Sequence, residues 1–324
     1  MINLLELCAD ANTIGISGHI QPDGDCVGST MALWQFLTKV YPEKTIEVRI
    51  DKPPATFHYM KGVSNIVYPK SVDEIETIYD VFILADTVAE PDRIGNAYPY
   101  FHSAKKTINI DHHITNSGSG DYNYIDATAS SASELVYDLI AFADPEGKYM
   151  DEELAQTIYS GIIQDCGVFQ YSNTSPKTLN IAAKLIAYGF DFATLIEETF
   201  YEKTFVQNKL LGLALDNCAL TPDGILCYTI VDRKELESVG GADDDFEGIV
   251  NQLRHTKGAE VAALIKQTAK GNYKVSLRSG NLIDVSKVAA GLKGGGHKKA
   301  AGCTIDGNHD ELVEIIWNEI KKQM

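Results

Sequence analysis

No two of the six cysteines (Cys8, Cys26, Cys166, Cys218, Cys227, Cys303) fall into a CxxC spacing, which argues against a zinc ribbon and against a disulfide framework. No stretch approaches the ~20 apolar residues that a membrane-spanning helix needs. The opening residues MINLLELCADAN lack the basic start and apolar run of a signal peptide and read as a helix. These absences together point to a cytoplasmic chain with reduced thiols and no membrane association. Repeats of roughly 20–50 residues, heptads and low-complexity tracts are missing too, which excludes solenoids and fibrous folds. Positive charge is also scarce: 28 Lys and Arg face 45 Asp and Glu, a net charge of −17 at pH 7. A protein that gripped phosphates by bulk charge would not be built this way.

The shortage is uneven. Residues 251–324 hold 12 Lys and Arg against 7 Asp and Glu, a local +5, which leaves −22 for residues 1–250. At 324 residues the chain has room for two domains. Strand-like runs TIGIS, TIEVRI, VFILAD and TINID alternate with helix-like stretches, which predicts an α/β domain with a largely parallel sheet. Helical periodicity then predicts Ala132–Ala143, Asp151–Gln164 and Pro176–Tyr188, the last with Ser175 as N-cap and Pro at its first position. The amphipathic stretch from Asp191 to Asp216 reads as one connecting helix. Alternating strands ILCYTIV, AEVAALIKQTA and YKVSLRS, the loop KGGGHKKAAG and the helix HDELVEIIWNEIKKQ predict a smaller α/β domain. The expected division is a catalytic domain over 1–190, a helical linker over 191–216 and a substrate-binding domain over 217–324.

What the first domain does have is four short clusters of acid and imidazole: His19, Asp23 and Asp25 in GHIQPDGDCVGS, Asp86, Asp111-His112-His113, and Asp165. The first three follow buried strand-like runs, and Asp165 ends the helix-like LAQTIYSGIIQD. In an open parallel sheet the carboxyl ends of strands face one crevice, where ligands bind. Four carboxylates (Asp23, Asp25, Asp86, Asp165) and two imidazoles (His19, His112) in one cleft would repel and take up protons unless cations compensate. Six ligands suit two divalent ions with a bridging carboxylate, and oxygen with some imidazole but no thiolate favours manganese or another first-row ion. Taken singly, each Asp also fits a helix cap or turn, and each His a surface position. His58, His102, His255 and His309 stand outside any cluster. Asp243-Asp244-Asp245 lacks the Gly and Glu of a calcium loop.

In the basic segment, Gly294-Gly295-Gly296 followed by His297, Lys298 and Lys299 would let backbone amides approach an anion, with added charge. It is not a Walker loop, since Gly296 is followed by His and Lys. Arg278 in VSLRS supplies a guanidinium, which recognises phosphate or carboxylate bidentately.

The ordered set resembles the DHH phosphoesterases of the nanoRNA-degrading, phosphoadenosine-phosphate phosphatase type. The resemblance spans nearly the whole chain: HxxxDxD with Gly28-Ser29, Asp86 at a strand end, DHH followed by Ile-Thr-Asn, SSASE at Ser130–Glu134, GIIQDCGVFQYSNTSP around Asp165, and GGGHKKAAG near the end. It implies that His19, Asp23 and Asp86 hold one manganese ion and Asp25, Asp86, His112 and Asp165 a second. His113 would then contact the phosphate, and Arg278, Gly294, Gly295, Gly296, His297 and Lys298 the other end of the substrate. The implied substrates are short single-stranded RNA or DNA oligonucleotides, cut to 5′-mononucleotides, and 3′-phosphoadenosine 5′-phosphate, cut to AMP. A pApA or cyclic-di-AMP phosphodiesterase, a manganese-dependent pyrophosphatase and a non-enzymatic nucleotide sensor remain open beside this, as does a homodimer. Cys26 and Cys166, each one residue beyond a proposed ligand, are expected to be packing residues.

Overall fold

The computed structural model describes residues 2–68 and 75–324. Two compact units divide the chain, Met1–Tyr201 and Glu202–Met324. Among the described residues no helix is long and apolar enough to cross a membrane.

The first unit is built on five strands, β1 (Thr13–Ser17), β2 (Thr45–Val48), β3 (Val81–Ala85), β4 (Thr107–Asp111) and β5 (Tyr122–Ile125). All pairings are parallel, in the order β2-β1-β3-β4-β5. The run VFILA in β3 is buried at every position, as a strand covered on both faces must be. Ile14, Ile16, Val81, Ile83, Ile108 and Ile110 face the main core. Phe82 and Leu84 point the other way, into a smaller cluster with Tyr79, Tyr100 and Phe101. β5 (YNYI) was not among the expected strands, because its half-exposed, Tyr- and Asn-rich sequence carries no apolar run.

This strand order determines where a ligand can go. Chain connections leave β1 and β3 toward opposite sides, so a crevice opens at their carboxyl ends. His19, Asp23 and Asp25 follow β1, and Asp86 follows β3.

The helix Gly24–Val40 lies along the helix Glu152–Asp165. They meet through two glycines: a Cβ on Gly28 would stand 2.8 Å from Gly161 Cα, and one on Gly161 would strike Ser133 Oγ. Only glycine permits this approach. The contact carries Asp165, the last residue of one helix, to the first turn of the other, where Asp25 sits.

The predicted connecting helix is not continuous. Phe192–Ile196 passes into a π-turn at Glu197–Tyr201, and a new helix runs from Phe205 to Asp216. Its start is a capping box in which the Thr204 and Gln207 side chains satisfy each other's backbone N–H groups.

The second unit is a six-stranded mixed sheet of β6 (Ala219–Leu220), β7 (Leu226–Val231), β8 (Val261–Gln267), β9 (Tyr273–Ser279), β10 (Gly295–His297) and β11 (Ala300–Ile305), in the order β10-β11-β9-β8-β7-β6. β7 and β8 are parallel and the other pairs antiparallel. Helices Val285–Gly291 and His309–Lys321 cover one face. Helices Phe205–Asp216 and Ile249–Arg254 cover the other.

Candidate metal centre

Asp86 is the centre of the first site. It caps β3 with a left-handed φ of +61°, which turns its buried carboxylate back over the sheet edge. Its two oxygens face two different groups. Oδ2 lies 3.5 Å from His19 Nε2, which is itself 3.5 Å from Asp23 Oδ1. Oδ1 lies 3.4 Å from His112 Nε2, which is 3.1 Å from Asp165 Oδ2 and 3.9 Å from Asp25 Oδ2. The four clusters therefore do converge, on either side of one carboxylate.

Each member is fixed locally. Asp23 is the N-cap of Gly24–Val40, its Oδ1 accepting from the amides of Asp25 and Cys26 at 3.1 Å each. Asp25 is fully buried, and its oxygens accept from the Ala132 and Ser133 amides at 2.6 and 2.9 Å, the amino end of the helix Ala132–Ala143. Those unpaired amides and the helix dipole favour a carboxylate there. His19 Nδ1 faces the Ile20 carbonyl at 2.8 Å and must donate to it, which leaves Nε2 as the nitrogen that takes a proton or a cation between itself and Asp86.

Electrostatics show what the cluster needs. Burial drives Asp25 well above the usual carboxylate range, and the charges of Asp86 and Asp165 drive it further. Asp165 is raised too, by burial and by Asp86, against the pull of His112. Burial opposes charge on His19 and His112, yet the carboxylates outweigh it: Asp23 and Asp86 push His19 up to about 10, and Asp165 and Asp86 push His112 up to about 11. The pocket thus holds more negative charge than it can neutralise without borrowing protons. Divalent cations meet the same demand while leaving the imidazole nitrogens as ligands.

A second observation agrees. Among the described residues Asp86 Oδ1 is buried with only the His112 and His113 rings beside it and no well-formed hydrogen bond, a state that costs free energy unless a cation or a water is bound. Ligand-type atoms of Asp25, His112 and Asp165 lie within 4.8 Å of one another, as do those of His19, Cys26 and Asp86. The residues present fit divalent metal. Burial, then the charges of Asp86 and Asp23, raise the Cys26 thiol well above its ordinary value. It packs against Gly18, where a Cβ would collide with its sulfur.

Asp111, the first residue of the triplet, has a role that sequence reasoning missed. It accepts from the His112 and His113 amides at 2.8 and 3.2 Å, from His113 Nδ1 at 2.7 Å and from Asn116 Nδ2 at 2.6 Å. These bonds outweigh burial and hold its carboxyl below the usual range. His113 in turn is raised, first by its hydrogen bond to Asp111. The Asn116 amide also reaches Asn109 Oδ1 and the Thr87 carbonyl, tying the loop to β4. Buried Glu134 accepts from the Ser130 hydroxyl and the Thr178 hydroxyl at 2.7 Å each, holding the SSASE turn whose amides grip Asp25. The motifs were visible in the sequence, but these hydrogen-bond roles depend on which chain segments meet.

In the second unit the expected glycine loop is a strand. Gly295, Gly296 and His297 pair with Gly302, Ala301 and Ala300 as β10, and Gly294 N donates to the Ala289 carbonyl at 2.7 Å. Gly296 has φ +142°, and a Cβ there would stand 2.5 Å from Ala301 Cα, so close backbone pairing is one reason for glycine. As the outer strand, β10 still turns alternate N–H groups away from the sheet. His297, Ala300 and Arg278 lie in register across three strands and so project from one face. The small Ala300 separates the two larger side chains. Arg278 Nε donates to Asn251 Oδ1 at 3.1 Å, and Nη1 to the Leu277 carbonyl at 3.0 Å. Lys298 sits in the β10–β11 turn.

Carboxylates and imidazoles gathered at the carboxyl edge of a parallel sheet are of the kind found in hydrolases that cut phosphoester bonds with divalent cations. Comparison with known families makes the assignment particular. Residues 13–162 match the DHH family, N-terminal domain, and residues 228–322 match the DHHA1 domain; the chain belongs to the DHH family and is a hydrolase acting on phosphoester bonds. It is 30% identical over 309 residues to the bifunctional oligoribonuclease and PAP phosphatase NrnA of Bacillus subtilis, covering 94% of this chain and 93% of that one. The protein of the same name from Thermus thermophilus is 29% identical over 96% of this chain and 90% of its own length. A solved exopolyphosphatase-related protein from Bacteroides fragilis superposes with a TM-score of 0.86 at 25% identity, covering 98% of this chain and 94% of that one.

Proposed function

We propose that the protein is a manganese-dependent phosphoesterase that cuts short oligonucleotides to 5′-mononucleotides and 3′-phosphoadenosine 5′-phosphate to AMP. The observation that carries the reading is Asp86, with one oxygen facing His19 and the other facing His112. The names of the relatives at 29–30% identity support the choice of substrates. His19, Asp23 and Asp86 would hold one ion, and Asp25, Asp86, His112 and Asp165 the other.

Bound there, divalent ions would neutralise phosphoryl oxygens and make water acidic enough to attack phosphorus at neutral pH. The side chains aim and hold. Asp111 engages Nδ1 of His113, so Nε2 is the end of that ring suited to donate a hydrogen bond or a proton to the departing ester oxygen. The ring is 44% exposed, which suits contact with a substrate. Asp86 would act with His113 in the chemical step by joining both ligand groups. Arg278, Gly294, Gly295, Gly296, His297 and Lys298 would bind a phosphate or base of the substrate. All six cysteines are free thiols, which fits work in the reducing cytoplasm.

The test is a panel of di- to pentanucleotides, pApA, cyclic di-AMP, 3′-phosphoadenosine 5′-phosphate and pyrophosphate, with manganese and with a chelator. Dinucleotides and 3′-phosphoadenosine 5′-phosphate should turn over fastest, and chelation should stop both. Faster turnover of pyrophosphate, or full activity in chelator, would overturn the reading.

A further inference from the structure

The chain just beyond Asp165 folds against its own preferences. Gly167, Val168 and Phe169 take left-handed φ values of +55°, +52° and +66° in succession. A β-branched residue such as Val168 adopts this conformation only when its surroundings enforce it. Here the surroundings do. Phe169 packs edge-on to buried Tyr159, and its amide donates to Cys166 Sγ at 3.3 Å. The amides of Gln170 and Tyr171 both donate to the Cys166 carbonyl, at 2.9 and 3.0 Å. Asn173 Nδ2 reaches the carbonyls of Asp165 and Ser130 at 3.1 and 2.9 Å.

The turn brings the ring of Tyr171 back over Gly167, where a Cβ would stand 2.5 Å from Tyr171 Cζ. One side of the ring thus rests on a glycine two residues from Asp165. Even so, Tyr171 is 60% exposed. A large aromatic left this open, on a turn whose backbone is held by these hydrogen bonds, buries little of its own apolar surface. Burying the ring would have been the favourable use of it.

We propose that Tyr171 is a specificity-determining residue whose exposed ring face stacks on the nucleobase next to the phosphate held at the Asp86 centre. This deepens the nucleotide reading given above and rests on it. Every nucleobase has a π face, so stacking distinguishes nucleotides from plain phosphoesters without reading sequence. An enzyme that degrades short oligonucleotides of any sequence needs that kind of selectivity. The hydrogen bonds of the turn fix the backbone that carries the ring, so little backbone freedom is lost on binding.

The experiment compares full-length wild type, Y171A and Y171F on a 5′-phosphorylated dinucleotide and on two analogues, each lacking one base. KM and kcat are measured separately, and thermal melting checks the fold. Y171A should raise KM on the intact dinucleotide about tenfold with kcat near wild type, and leave KM unaltered on the analogue lacking the stacked base. Y171F should restore the wild-type KM. If Y171A melts early, Y171L keeps bulk while removing the π face and replaces it. Unaltered kinetics in Y171A, equal losses on the intact and both abasic substrates, or a fall in kcat alone would overturn the proposal and leave Tyr171 a support for Asp165. Those results leave the nucleotide reading standing. Wild type that prefers a nucleotide-free phosphoester over all nucleotides would instead remove that reading, and this proposal with it.

Discussion

The two candidate sites solve anion chemistry in opposite ways. The first unit concentrates negative charge around two buried carboxylates, Asp25 and Asp86, with the other members held at fixed distances beside them. The second spreads positive charge over an edge strand and the face beside it, with exposed Gly295, Gly296, His297 and Lys298. A buried centre with fixed geometry suits bond breaking, where positioning and preorganised charge govern rate. An open basic surface suits holding, where charge governs affinity. The difference teaches that losses among the groups around Asp86 should appear in kcat, and losses on the β10 face of the second unit in KM.

The largest expected effect comes from breaking the first side of that contrast. Asp86→Ala removes the carboxylate common to both groups and should lower kcat roughly a thousandfold or more, equivalent to about 4 kcal/mol, with the fold intact by circular dichroism. Near-normal turnover would sink the shared-ligand assignment. Gly161→Ala should come next. Its Cβ would meet Ser133 Oγ and press toward Asp25 Oδ1 at 3.1 Å, so overpacking should destabilise the protein by about 1–3 kcal/mol and lower kcat through displaced ligands. A variant with wild-type melting and activity would show that the helix contact is looser than described. The smallest is Arg278→Ala, expected to raise KM for a 5′-phosphorylated dinucleotide about tenfold, or ~1.4 kcal/mol, close to the lower bound for a charge-assisted hydrogen bond. Its effect on an uncharged-end phosphodiester should be smaller. Equal losses on both, or a loss confined to kcat, would erase the division between the units.

Much of the first site was readable in the sequence because its chemistry restricts residue type. Asp and His at the ends of buried runs can be found by eye, and the strand order then gathers them. Asp111 was harder: it sits in the triplet, yet nothing in the spacing says that it turns inward to hold His113 and Asn116. The left-handed residues Gln21, Asp86, Val168 and Phe169 flank the same centre, and side-chain identity does not announce backbone strain. The GGGH segment misled in a different way. Glycines allow both an open loop and a closely paired strand, and only the facing Ala300-Ala301-Gly302 decides between them. The break in the supposed connecting helix was legible as Thr204 and Gln207, a capping box outweighed in the reading by an amphipathic pattern that continued across it.

Consider finally the contact between Gly28 and Gly161. It joins two helices whose first and last residues lie 141 positions apart, Gly24 to Asp165. During synthesis β1, β3 and the Asp86 turn can emerge and pair while the helix carrying Asp165 is still inside the ribosome. Long-range contacts of this sort form late. The centre is therefore completed only when that helix docks, and a chain interrupted before residue 165 would own His19, Asp23 and Asp86 yet lack the Asp165 carboxylate that faces His112. Catalytic competence is in this sense a certificate that these two helices have met.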